Sequence, residues 1–150
     1  MTHPASGSPT GPPIGLLLAQ TAKAVGRAFD DALAAAGGST PVWLILLALK
    51  TRSIANQRTL AEAVGIQGAT LTHHLDNLER DRLVRRVRDP DNRRIQRVEL
   101  TEAGERLFRQ LREAAVTFDK RLRRDLSNRD QTAARKLLAK IAANADPAPG

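Results

Sequence analysis

Between Arg58 and Thr101 the chain carries two short amphipathic segments separated by one glycine, and then two β-rich segments around a reversal signal. Leu60, Ala61 and Val64 define one apolar face, Ile66, Leu71, Leu75 and Leu78 define another, and Gly65 stands between them. Helices this short are marginal in water on their own. Each must therefore lean on the other, at the steep angle that a glycine turn allows, with small Ala61 permitting close approach. The spacing predicts a first helix over Arg58 to Val64, preceded by Asn56 or Gln57, and a second from about Gly68 to Arg80. The segments Leu83 to Arg88 and Ile95 to Leu100 flank Asp89-Pro90-Asp91-Asn92, whose residue types favour a tight turn, so a hairpin follows the helix pair.

The flanks are helical by pattern. Residues 1–13 are rich in Pro, Gly, Ser and Thr and are expected to be disordered. Apolar residues at Ile14, Leu17, Leu18, Val25, Phe29, Ala32 and Leu33 then recur at helical spacing until Gly37-Gly38, which predicts a helix over 14–36. Ser39 or Thr40 suits the N-cap of the next helix and Pro41 its first turn. The apolar run VWLILLAL that follows reads as a central buried helix ending near Lys50. Thr101 caps a long helix whose apolar face is Leu107, Leu111, Ala115, Phe118 and Leu122. Ser127 with Asp130 resembles a capping box and starts a last helix carrying Leu137, Leu138 and Ile141. The closing DPAPG is expected to fray. The fold class is therefore mainly α, with six helices plus a two- or three-stranded sheet: a domain over 14–146, with a winged helix-turn-helix over about 40–100 and flanking helices over about 14–36 and 102–145.

Charge narrows the partner. Lys and Arg outnumber Asp and Glu by 24 to 16 in 150 residues, a formal charge of +8, which favours an anionic surface such as nucleic acid or an acidic membrane. There is no cysteine, so disulfides, thiolate catalysis, Cys-ligated metals and thiol redox sensing are excluded. The N-terminal stretch lacks the features of a leader, and no apolar run approaches the roughly 18 residues needed to cross a bilayer, so a cytoplasmic, nucleoid-associated address and no membrane partner are expected.

With Leu71, Leu75 and Leu78 turned inward, Gln67, Ala69, Thr70, His73, Asn77 and Arg80 face outward, and Thr72 and Asp76 lie on the flank. That outward face is polar and short-chained near its N-terminus, which suits insertion into a DNA major groove. An ordinary solvated helix face has the same pattern. The difference lies downstream, where Glu79 to Arg97 holds eight arginines against four acids. Arg93 and Arg94 fall at the hairpin tip, where guanidinium groups suit the negative potential of a minor groove, and Asp91 is close enough to hold Arg93 extended. Arginine on a hairpin also protects an edge strand; the order and spacing of helix pair and basic hairpin are what point to DNA. Arg88 joins the candidate contacts on the wing.

The stretches LAEAVGI, LDNLERDRLVRR, DPDNRR and VELTEAG resemble the MarR family of winged-helix repressors, and the likeness runs from about Ile14 to Asn144. The resemblance implies wing roles for Asp91 and Arg93, a recognition helix from Gly68 to Arg80, and first and last helices that interlock two subunits. It also implies a small aromatic or anionic effector, for which Trp43, His74 and Phe118 are the expected pocket residues. Two residues depart from the pattern: Arg82 stands where glycine is usual, so the turn entering the wing strand is expected to be built differently, and His74 lies where an apolar residue is usual, so it is expected to line a cavity instead of packing a dry core. His73 and His74 are adjacent on a helix and diverge by about 100°, so they are poorly placed to share a metal ion. No metal or cofactor is expected.

The apolar stripes of the flanking helices exceed what a lone winged helix covers, and a second copy is the expected cover. Twofold symmetry then sets two recognition helices about 34 Å apart on a palindromic operator. The expected function is a sequence-specific, homodimeric DNA-binding regulator, a repressor released by a ligand. The alternative is an architectural DNA- or RNA-binding protein without an operator. An enzyme is not expected: there is no phosphate-binding glycine loop, no metal-ligand spacing and no supported catalytic triad. Glu62, Asp76 and Glu79 read as members of solvated ion pairs.

Overall fold

The computed structural model describes residues 10–51, 57–94 and 96–147. The helices are α1 (Ile14–Ala35), α2 (Thr40–Thr51), α3 (Gln57–Val64), α4 (Gly68–Arg80), α5 (Glu102–Leu122) and α6 (Asn128–Ala145), and the strands are β1 (Val84–Arg88) and β2 (Gln96–Leu100). Among the described residues the sheet has two antiparallel strands, in register from Val84 opposite Leu100 to Arg88 opposite Gln96. The expected tail falls largely outside the described residues; 10–13 form an exposed lead into α1. The Asn56 cap, Ile95 and the last three residues of the chain also lie outside them. No single helix among the described residues is long and apolar enough to cross a membrane.

The chain forms two compact units whose boundary falls within α5, one ending at Ala115 and the other beginning at Val116. The first unit holds a continuous core. Trp43, Ile45, Leu46 and Ala48 of α2 are buried with Leu33 of α1, Leu60 of α3, Leu71, Leu75 and Leu78 of α4, Val84 of β1, and Phe108 and Leu111 of α5. Each fully buried leucine stabilises the fold by about 2 kcal/mol. Trp43 stacks on Phe108 with ring centroids 5.7 Å apart. The second unit contains α6, which buries none of its side chains.

Local chemistry explains the helix ends. The Val42 N–H donates to Ser39 Oγ at 3.4 Å, so Ser39 is the cap of α2, while the Thr40 hydroxyl donates to Asp30 of α1. The Ser127–Asp130 capping box is reciprocal, at 3.1 and 2.9 Å. Gly65 takes φ +75°, and its N–H and that of Ile66 both donate to the Ala61 carbonyl, which closes α3 and turns the chain into α4.

The turn after α4 has the same geometry without glycine. Arg82 has φ +59°; its N–H donates to Glu79 O at 3.0 Å and the Leu83 N–H donates to Leu78 O at 2.8 Å, which together make a Schellman motif. The departure at Arg82 therefore leaves the turn unchanged and places a non-glycine residue in it, at a steric cost of about 1 kcal/mol. Thr101 locks the same corner. Its hydroxyl donates to Arg82 O at 2.6 Å and accepts from the Gly104 N–H at 3.1 Å, and its own N–H donates to Leu83 O at 3.1 Å. A Cβ on Gly104 would lie 2.0 Å from that Leu83 oxygen.

Two stability changes of opposite sign are expected. Gly104→Ala forces backbone apart at the corner and should lower stability by about 2–3 kcal/mol, read as an earlier denaturant midpoint at unchanged m-value. Arg82→Gly relieves the left-handed strain but loosens the unfolded chain, for a net gain of about 0.5–1 kcal/mol. A fall in thermal midpoint for Arg82→Gly would show that the side chain contributes more than its backbone position costs.

Candidate nucleic-acid interface

The candidate surface is built from α4 outward. Leu71, Leu75 and Leu78 are buried, and this fixes the opposite face: Gln67, Ala69, Thr70, Thr72, His73 and Arg80 are exposed and Asn77 is half-buried. The structure thus brings together on one helix all seven positions predicted there. Gln67 is the N-cap and makes no side-chain cap hydrogen bond, and the first turn carries no acid. The positive end of the helix therefore faces outward without a competing anion.

Not all of this polar surface is available. The Thr72 hydroxyl donates to Gly68 O at 2.9 Å and accepts from Gln57 Nε2 at 2.6 Å, so it braces α4 against the start of α3. Arg80 Nη2 donates to Asn77 Oδ1 at 2.5 Å, and Asn77 Nδ2 lies 3.4 Å from His73 Nε2. An open cleft lined by Gln57, Ala61, Gly65, Gln67, Gly68 and Thr72 runs between the two helices of the pair.

The wing places Arg88, Asp91, Arg93 and Arg94 at the surface. Asp91 and Arg93 make no ion pair with each other among the described residues, contrary to the expected extended pose. The tip is shaped by backbone contacts instead: the Asp91 N–H donates to Asp89 Oδ1 at 2.8 Å and the Arg94 N–H donates to Asn92 Oδ1 at 3.2 Å. Asp89 and Asn92 hold the turn, and this leaves the guanidinium groups of Arg93 and Arg94 unpaired among the described residues.

Arg86 behaves differently from its neighbours. Its side chain is 20% exposed and pairs with Asp76 of α4 at 2.7 Å and with Glu79 at 4.0 Å; its backbone N–H also donates to Glu79 Oε2 at 3.2 Å. Asp76 and Glu79 are therefore joined to the wing and are not simply solvated. The signal was present in the alternation of β1, where Arg86 shares a face with buried Val84, and in two acids three residues apart on α4.

The expected pocket residues lie on three elements. Trp43 is stacked in the core of the first unit, His74 is half-buried on α4, its ring tilted 6.0 Å from that of His73, and Phe118 is buried within the second unit's share of α5. None of the three lines the cleft between α3 and α4.

The MarR family model matches residues 39–96, which is the span from the cap of α2 to the first residue of β2. Among solved structures, the transcriptional repressor CouR bound to a 23-mer DNA duplex is 27% identical with a TM-score of 0.77, over 87% of this chain and 92% of that one. The transcriptional regulator PA3341 is 33% identical with a TM-score of 0.73, over 88% and 97%. A regulator of the MarR family from Rhodococcus sp. RHA1 is 27% identical with a TM-score of 0.71, over 86% and 91%. No curated protein sequence matches. Helix pair, wing and flanking helices follow one another here as in these regulators, and the chain belongs to the MarR family.

Proposed function

We propose that the protein is a homodimeric, sequence-specific DNA-binding transcriptional regulator, acting as a repressor on a palindromic operator. The observation that carries this reading is the pairing, on one chain, of an exposed polar α4 face with two exposed tip arginines that have no ion-pair partner among the described residues. In this reading the N-terminal turn of α4 enters the major groove, where Gln67, Ala69, Thr70 and His73 meet base edges. Arg93 and Arg94 reach the adjacent minor groove, and Arg80 and Arg88 neutralise phosphates. Thr72 acts through its brace to Gln57, and Asn77 through its contacts to Arg80 and His73. CouR, with which the chain shares 27% of its residues, is bound to a DNA duplex in its structure, which supports the same partner here.

Dimerisation is supported by apolar surface. Ile14 is 66% exposed and Leu16 50% on α1, and Leu137 is 59% and Leu138 50% exposed on α6. Side chains like these, repeated along a helix, ask for a cover, and a second copy supplies it with closed symmetry. Release by a small aromatic or anionic ligand belongs to the same reading and rests on family membership; a tenfold loss of operator affinity needs about 1.4 kcal/mol of coupling. A cytoplasmic, nucleoid-associated address without enzymatic activity completes it.

The test is selection from a random duplex pool, followed by anisotropy titration of the enriched site and of its scrambled form at matched salt. A twofold-symmetric site bound at least a hundredfold tighter than the scramble is expected; equal binding would instead make this a non-specific architectural DNA- or RNA-binding protein. On that site Arg93→Ala should weaken binding about tenfold, reduce the salt slope by about 0.9, and leave the melting temperature within about 2 °C of the wild type. His73→Ala should change the preferred bases more than the salt slope, as sequence recognition by profiling of the variant's selected pool would reveal.

A further inference from the structure

Eight arginines crowd the segment from Glu79 to Arg97, and one of them is withheld from the surface. Arg86 lies on the core-side face of β1, opposite Val98 in the register, with its Nε buried and without a hydrogen-bond partner. Its Nη2 donates to Asp76 Oδ1 at 2.7 Å and its Nη1 lies 4.0 Å from Glu79 Oε1. Both acids are on α4, three residues apart, on the flank next to the outward face. A charge-assisted contact of this length fixes orientation as well as distance, and a planar guanidinium is suited to bridge two carboxylates.

Resting on the DNA-binding reading above, we propose that Arg86 is a positioning residue: held by Asp76 and Glu79, it fixes the angle between wing and recognition helix and sets DNA affinity without touching DNA. The physical need is plain. The hairpin is two strands of five residues, and such a hairpin has little stability of its own. Its base is anchored at Thr101, but the strands beyond the base are free to twist relative to α4 unless something ties them partway along. Arg86 sits at the middle residue of β1 and supplies that tie. Side chains at the tip then approach the duplex at one angle in place of many, and the ordering cost is met before binding.

This role and a direct phosphate contact predict opposite signs for one substitution. If Arg86 neutralised a phosphate, Asp76→Asn would remove a competing negative charge near a polyanion and tighten binding, and Arg86→Met would lower the salt slope by about 0.9. If Arg86 is the tie, both substitutions weaken binding and neither changes the slope. The experiment uses the full chain and the duplex that the wild type enriches from a random pool. Arg86→Met and Asp76→Asn are each expected to bind about tenfold more weakly at unchanged slope, and the double variant to lose about tenfold, not a hundredfold, because both act on one joint. At saturating protein the wing should be protected from hydroxyl radicals as in the wild type in both variants, because the bound contacts are the same, while amide exchange of the free protein should quicken in the hairpin and not in α2, which general loss of structure would not produce. Tighter binding by Asp76→Asn, a reduced slope for Arg86→Met, additive losses, or unchanged affinity would each overturn the proposal. Should Arg86→Met fail to fold, the sign and hairpin exchange of Asp76→Asn decide alone. A wild-type protein that enriches no duplex overturns the DNA-binding reading, and this inference with it; wild-type binding with indifferent variants overturns this inference only.

Discussion

The corner at Arg82 and Leu83 is where the winged helix is held together. The Leu83 N–H ends α4, and its carbonyl receives the Thr101 N–H; the Arg82 carbonyl receives the Thr101 hydroxyl, which in turn caps α5 through Gly104. Four elements therefore meet on two residues: α4 ends there, β1 leaves, β2 returns and α5 begins. The backbone bonds are independent of side-chain identity, the Thr101 hydroxyl adds one donor and one acceptor to them, and together they resist sliding of the hairpin along the helix. Side-chain packing then acts on a frame whose angles are nearly set.

Hydrogen-bonding capacity on α4 is divided between internal and external use. An arginine has donors and no acceptor, so the bond from Arg80 requires Asn77 to turn its oxygen that way and its amide nitrogen toward His73. Thr72 is likewise committed to Gly68 and Gln57. The C-terminal half of the face thus forms a linked strip, while Gln67, Ala69 and Thr70 at the N-terminal end are exposed. In the proposed reading this division matches the groove, where the N-terminal residues of a recognition helix contact base edges.

Much of this was legible from residue order. The helix pair, the turn at Gly65, the reversal at Asp89 to Asn92 and the box at Ser127 are local, and local chemistry determines them: a positive φ at Gly65, reciprocal caps at Ser127 and Asp130. Three things were not legible, each for a non-local reason. Arg82 takes the backbone conformation that glycine would, because Thr101, nineteen residues on, over-determines the corner; residue type alone argued for a different turn. Asp91 was expected to steer Arg93, yet the tip is shaped by Asp89 and Asn92, since a carboxylate two residues back reaches a backbone N–H more readily than a long, solvated guanidinium. Arg86 was lost among its neighbours because counting arginines ignores the period-two alternation that separates them.

The distribution of burial also bears on what a single copy can sustain. Nearly all buried apolar side chains lie between Leu33 and Leu111, and α6 contributes none. An 18-residue helix held by a capping box worth about 1 kcal/mol and by no buried face of its own is marginal in water. Its leucines at 137 and 138 would gain about 2 kcal/mol each from full burial. A helix of this kind persists when a partner surface covers it, and α1 offers the same kind of leucine-rich exposure at its N-terminal end. If association supplies the missing burial, formation of α6 and pairing of two recognition helices are one equilibrium, and DNA affinity should vary with protein concentration well before the winged helix itself unfolds.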